Sequence, residues 1–244
     1  MGFRSAPAVI GHRGSGSLAP ENTLSAIRKA IALGLDGVEL DVQMARDGCL
    51  VLLHDDQLTR TTTGAGLLRD QDWKTLSALD AGAWFSDAFI GERIPLLEEA
   101  LDLIDGRLIT FLEIKSPELA RPFARAIIKA DAVTWTRTLS FSHEALLRVK
   151  AHCPAMVCGL AVRPPEAGPY DTGQIISRLS QHAIQLAGLF VDRLTPDLCA
   201  LLHDSGIQTF TGPVDSAETA RRIAACEPDF LFSNRPDLVA TALL

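Results

Sequence analysis

Two alternating pairs of ionisable residues stand out in the first half of the chain: Glu39 with Asp41, and Glu113 with Lys115. His12-Arg13 precedes the first pair and His54 lies between the two. Side chains of an extended strand alternate with period two, so each pair projects to one face. Three carboxylates brought to one dry centre repel each other, and a bound cation relieves that repulsion. All-oxygen donors without cysteine favour a hard ion, Mg2+ or Ca2+, over zinc. Beside such an ion, two imidazoles that move protons and two fixed cations, Arg13 and Lys115, suit chemistry on phosphate esters. The plain alternatives are hydrogen-bonded strand-end histidines and buried salt bridges from Glu39 and Asp41 to Arg13 or Lys115. What favours the chemical reading is their joint occurrence, in order, at successive strand ends.

Such residues need strands to hold them. Apolar runs at 8–11, 37–42, 108–114, 138–141, 157–162, 188–191, 207–211 and 229–232 read as strands, several of them apolar throughout, as in a parallel sheet covered on both faces. Helical patterns lie between most of them. Leu24, Ile27 and Ile31 share one helical face, Pro20 and Asn22 mark its start and Gly34 its end; further helices fit 118–129, 143–150, 173–185, 196–205, 216–225 and 236–244. Eight such units in one chain of 244 residues predict a single α/β domain, a (βα)8 TIM barrel, with a doubly wound sheet as the alternative. Neither GxGxxG after a strand nor GxxxxGK[ST] is present, which argues against nucleotide-binding versions.

One segment breaks the rhythm. Only twelve residues separate Asp41 from His54, with Asp47-Gly48 near their middle, too few for a parallel crossover and suited to a β-hairpin. A turn centred on Arg46-Asp47 places Glu39 opposite His54 and Asp41 opposite Leu52; a bulge at Gly48 would shift this by one residue. Residues 55–95 then form a long insertion, rich in Thr, Gly, Asp and aromatics, with a short helix near 72–79, expected to hang over the catalytic end.

Composition narrows the partners. Net charge is −7, the wrong balance for a general nucleic-acid binder. No apolar run approaches the ~18–20 residues of a membrane span, and the N-terminus is a poor secretory signal, so cytoplasm is the default expectation. The five cysteines are odd in number and lack CxxC spacing, as buried thiols would be. Nothing in the helices requires or excludes a homodimer.

These residues also sit in longer motifs. GHRG at 11–14, APENTLSAI at 19–27, GVELDVQMARDG at 37–48, LLHDDQLTRTTTGAG at 52–66, LSALDAGAWF at 76–85, GERIPLLEEAL at 91–101, FLEIK at 111–115 and LSFS at 139–142 follow one pattern over more than half the chain. The chain resembles the bacterial glycerophosphodiester phosphodiesterases, barrel enzymes related to phosphatidylinositol-specific phospholipase C. The resemblance implies a distorted TIM barrel with 55–95 as its insertion, and hydrolysis of glycerophosphodiesters to sn-glycerol 3-phosphate and an alcohol. It implies Glu39, Asp41 and Glu113 as ligands of one divalent cation, His12 and His54 as acid and base, and Arg13 and Lys115 on the phosphate. Where the family has a Trp-Thr-Val-Asn run this chain has Phe210-Thr211-Gly212-Pro213-Val214, which keeps an aromatic for substrate contact at Phe210. Where Thr-Asp-x-Pro is usual it has Ser233-Asn234-Arg235-Pro236. Two other readings fit the same residues. One is a lysophospholipid-directed enzyme of the same group, with Trp73, Trp84, Phe85 and Phe89 either lining a lipid-facing mouth or packing the insertion. The other is a non-catalytic phosphodiester-binding barrel, motivated by Asn234.

Overall fold

The computed structural model describes residues 6–166 and 168–244. Its strands and helices alternate: β1 (Ala8–Gly11), α1 (Leu24–Ala32), β2 (Gly37–Met44), β3 (Leu50–Leu52), α2 (Trp73–Leu76), α3 (Leu97–Ile104), β4 (Ile109–Ile114), α4 (Ala120–Lys129), β5 (Thr136–Ser140), α5 (His143–His152), β6 (Val157–Ala161), α6 (Thr172–Gln181), β7 (Leu186–Leu189), α7 (Pro196–Asp204), β8 (Gln208–Thr211), α8 (Ala217–Ala224), β9 (Phe230–Ser233) and α9 (Pro236–Ala242). Among the described residues, β1, β2 and β4–β9 are parallel and close on themselves, with β1 bonded to both β2 and β9. This is the (βα)8 barrel the alternating pattern predicts, with β3 as an antiparallel addition to β2.

Local chemistry explains the boundaries. Helices α1, α5, α6, α7 and α8 each start behind a Thr, Ser or Asp whose side chain accepts a free backbone N–H of the first turn. The cap of α1 is Thr23 rather than Asn22, whose side chain is spent elsewhere. Helix α3 has no counterpart among the helices read from periodicity; Glu99 closes its first turn by accepting the Leu96 N–H at 2.8 Å. Strand β7 begins two residues before the expected 188–191, because Leu186 and Ala187 already pair with both neighbours, and Phe190 and Val191 lie beyond the strand.

The hairpin register also differs from the expected one. Val42, Gln43 and Met44 pair with Leu52, Val51 and Leu50, one residue away from a pairing of Asp41 with Leu52. The turn holds three residues, Arg46–Gly48: Ala45 N–H donates to Cys49 O at 2.9 Å, and Gly48 takes a left-handed φ of 90° that a side chain would strain. That extra turn residue sets the shift. Asp41 therefore faces Leu53, whose N–H donates to the Asp41 carbonyl at 3.1 Å.

Three apolar clusters organise the interior. The largest lies between barrel and helices and includes Leu40, Leu112, Phe123, Ile127 and Leu231. Inside the barrel, Ile10, Phe111, Phe210, Phe230 and Phe232 form an aromatic floor. Val51, Leu53, Leu58, Leu68, Leu76 and Ile94 build a small core beneath the insertion. No helix among the described residues is long and apolar enough to cross a membrane.

Candidate active site

Strand β2 positions the centre. Its first residues pair with β1, while its last three run past β1 and pair with β3, so Glu39 and Asp41 lie between barrel and hairpin. Asp41 is in register with Glu113 on β4. Oxygens of Glu39, Asp41 and Glu113 come within 4.8 Å of one another, and the first two are buried. The Lys115 ammonium bridges Asp41 and Glu113 at 2.6 Å each. Burial, together with the charges of Asp41 and Glu113, pushes the Glu39 carboxyl well above its usual range. Burial would also raise Asp41, but Lys115, His54 and the Asn22 amide hold it below the usual value. Burial opposes the charge on Lys115, yet its two carboxylates raise its pKa overall.

Three converging carboxylates, one of them destabilised by its acidic neighbours, form the donor set of a hard divalent cation. Lys115 and Arg13 offset part of the charge, and Glu39 keeps the most unfavourable environment. The residues present therefore fit Mg2+ or Ca2+.

The loop after β1 folds over this centre. Arg13 adopts a left-handed φ of 53°, which points its N–H at Glu39 Oε2, 2.9 Å away. Such a backbone costs about 1–2 kcal/mol in an L-residue and persists where surroundings enforce it. The Arg13 guanidinium donates to Glu21 at 2.7 Å; its Nε lies 3.7 Å from Asp41 and is buried without a hydrogen-bond partner. Asn22 brackets Asp41: its amide donates to Oδ2 at 2.8 Å, and its oxygen accepts the Asp41 N–H at 2.9 Å.

His12 Nε2 lies 3.7 Å from Glu39 Oε2, and its Nδ1 meets the Asn234 side-chain oxygen at 2.8 Å. Burial lowers the His12 pKa despite that hydrogen bond. His54 arrives from beyond β3, with Nδ1 2.6 Å from Asp55. The ladder does not hold this turn. Buried Gln43, two residues past Asp41 on the same strand face, directs its amide at the carbonyls of Leu53, His54 and Asp55, at 2.9, 3.0 and 2.8 Å. Arg60, from the insertion, clamps Asp55 at 2.5 Å and Glu21 at 2.8 Å.

Thus Glu39, Asp41, Glu113, Lys115, Arg13 and His12 meet in one place, and His54 follows β3 with its Nδ1 on Asp55. Phe210 does not join them. Its ring is 6% exposed, packs inside the barrel and stacks on Phe232 at 5.3 Å, because Gly188 leaves space on the neighbouring strand. Trp84, Phe85 and Phe89 pack edge to face on one another, and Trp73 lies against the insertion core. Sequence reasoning gave Gln43, Glu21 and Arg60 no role and read Asn22 only as a helix start; for Gln43 the signal was present, since 39, 41 and 43 alternate on one strand.

Fold and site together are those of a (βα)8 barrel with an acidic, hard-cation type of centre at its strand ends. The glycerophosphoryl diester phosphodiesterase family pattern matches residues 12–238. A glycerophosphodiester phosphodiesterase from Caldanaerobacter subterraneus subsp. tengcongensis is 33% identical over 235 residues, covering 94% of each chain. One from Bacillus subtilis is 37% identical, over 94% of this chain and 84% of its own. An Oleispira antarctica phosphodiesterase, solved in complex with the product sn-glycerol-3-phosphate, superposes with a TM-score of 0.86 at 29% identity, covering 97% of this chain and 96% of its own. The chain belongs to the glycerophosphoryl diester phosphodiesterase family.

Proposed function

We propose that this protein hydrolyses glycerophosphodiesters to sn-glycerol 3-phosphate and an alcohol, using one divalent cation and two histidines. The observation that carries the reading is the convergence of Glu39, Asp41 and Glu113 within 4.8 Å, with His12 Nε2 3.7 Å from Glu39, in a chain of this family. Glu39, Asp41 and Glu113 would hold Mg2+ or Ca2+, which supplies positive charge to the phosphate oxygens. Arg13 and Lys115 add fixed cations beside them. One imidazole takes the proton of the attacking oxygen while the other delivers a proton to the departing alcohol. That pair serves either attacker, water or the neighbouring glycerol hydroxyl. Asn22 keeps the Asp41 carboxylate oriented, and Gln43 keeps the His54 turn in place.

Release of sn-glycerol 3-phosphate from glycerophosphocholine, followed with and without chelator and with added Mg2+ or Ca2+, tests the reading. His12→Ala and His54→Ala are each expected to lose about 10²–10⁴-fold in turnover while remaining folded. Near-normal turnover in either variant would remove its histidine from the reaction. Metal binding without release would identify a non-catalytic binder. Faster turnover on lysophosphatidylcholine would redirect the activity to lysophospholipids.

A further inference from the structure

His12 is held from behind by two residues, and their order decides where its proton sits. The Asn234 amide lies between the His12 ring and the Asp215 carboxylate: one side-chain atom is 2.8 Å from His12 Nδ1 and the other is 2.9 Å from Asp215 Oδ2. A carboxylate only accepts hydrogen bonds, so the NH2 of Asn234 must face Asp215 and its oxygen must face His12. An amide oxygen likewise only accepts, so Nδ1 must carry the hydrogen. In a neutral imidazole the remaining nitrogen, Nε2, is then a bare acceptor. That nitrogen faces Glu39 at 3.7 Å, toward the acid cluster.

Asp215 is itself fixed for this role. Its Oδ1 accepts the Asn234 backbone N–H at 2.7 Å and the Ser233 hydroxyl at 3.2 Å, leaving Oδ2 for the amide. Its loop is anchored to β9 by Val214 N–H donating to Phe232 O at 2.8 Å.

We infer that Asp215 and Asn234 are positioning residues of this site: Asp215 fixes the rotation of the Asn234 carboxamide, which in turn fixes the Nδ1–H tautomer of His12 and presents Nε2 as a proton acceptor. The acceptor role rests on the proposed phosphodiesterase reaction; the tautomer does not.

Asp215→Asn keeps an oxygen for the backbone N–H and hydroxyl, but turns an NH2 toward Asn234. Two NH2 groups cannot face each other, so the Asn234 amide rotates and offers a donor to His12. The ring proton then moves to Nε2. The exchange variant Asp215→Asn/Asn234→Asp restores an acceptor against Nδ1. The decisive measurement is the ring ¹⁵N spectrum of the full-length protein, ¹⁵N-labelled at histidine, without added metal and near pH 8, with His12 assigned by its loss in His12→Gln. We expect Nδ1–H in wild type, a shift toward Nε2–H in Asp215→Asn, and Nδ1–H again in the exchange variant. For glycerophosphocholine hydrolysis, kcat should fall at least about tenfold in Asp215→Asn with KM within about threefold, and return to within about threefold of wild type in the exchange. Asn234→Ala, which deletes the intermediary and leaves Asp215 in place, should give a mixed tautomer and a comparable kcat loss. Melting temperatures confirm that each variant is folded; if Asp215→Asn is not, Asn234→Ala and the exchange variant carry the test. Wild-type Nε2–H, an unchanged tautomer in Asp215→Asn or in Asn234→Ala, or an exchange variant no better than Asp215→Asn would overturn the inference. Absence of turnover in wild type would instead count against the reaction, since the spectra do not depend on it.

Discussion

Removing the Phe210 ring should unfold the barrel floor before it touches the chemistry. The ring is 6% exposed, stacks on Phe232 at 5.3 Å and tilts against Phe111 at 6.4 Å. Phe210→Ala removes a buried aromatic from a cluster with little room to collapse, at about 3–5 kcal/mol. For a domain of this size that is a fall in melting temperature of roughly 6–20 °C. Gly188 supplies an internal control. A Cβ at that position would collide with the far edge of the Phe210 ring, so Gly188→Ala alone overpacks the floor, costing about 1–3 kcal/mol or more. In the double variant the new methyl enters space the ring has left, and the two penalties should fall short of their sum by about 1–3 kcal/mol. Urea unfolding of the four proteins gives the cycle, and glycerophosphodiester turnover in the milder Phe210→Leu gives KM, expected within about threefold of wild type because the ring is covered. Strictly additive penalties, or a tenfold rise in KM with stability intact, would refute the reasoning and return Phe210 to the substrate.

Glu39→Gln should raise the melting temperature in chelator, since it removes the carboxylate most opposed by Asp41 and Glu113, and should abolish the gain of about 2.7 kcal/mol expected at a hundredfold excess of divalent ion over its Kd; calorimetry with and without ion checks both signs. Gln43→Leu strips the amide from three carbonyls, costing about 1–3 kcal/mol, and should lower kcat more than it raises KM because the His54 turn loosens. Arg60 hydrogen bonds hold Asp55 below its usual range; at Glu21 burial pushes the other way, and Arg60 and Arg13 together hold it below. Stability from such depressed acids is complete above the ordinary carboxylate range and is lost as pH falls through their lowered values. Arg60→Ala should therefore be less stable than wild type at pH 7, with the gap narrowing in acid; a gap independent of pH in thermal melts from pH 7 to 3 would contradict the assignment.

The strand pattern made the barrel legible because parallel strands covered on both faces are apolar runs, as β1 is and as β9 is up to Ser233. The metal-type cluster was legible because a period-two spacing fixes the common face of Glu39 and Asp41. The hairpin register was legible only to within one residue: Arg46-Asp47-Gly48 accommodates either count until the left-handed Gly48 is seen. Helix α3 hid in an acidic-apolar stretch with no strong start residue, its cap coming from Glu99. Partners far along the chain, such as Asp215 for Asn234 or Arg60 for Glu21, carry no local spacing signal. For Phe210 an inward and a mouth-facing side chain at a strand end look alike in sequence; the neighbouring glycine shows where the ring fits.

The ion pairs of Arg60 weld the insertion to the loop after β1, while the opposite rim is open: Phe141 and Phe190 are exposed at the ends of β5 and β7, and Arg163 rests on the Phe141 ring at 4.8 Å. The mouth is thus divided in its capacity to vary. On the welded side a single replacement strands a neighbour's charge, so drift there requires paired changes. On the exposed side, where no salt bridge among the described residues ties Phe141 or Phe190 to a neighbour, substitutions can fall one at a time.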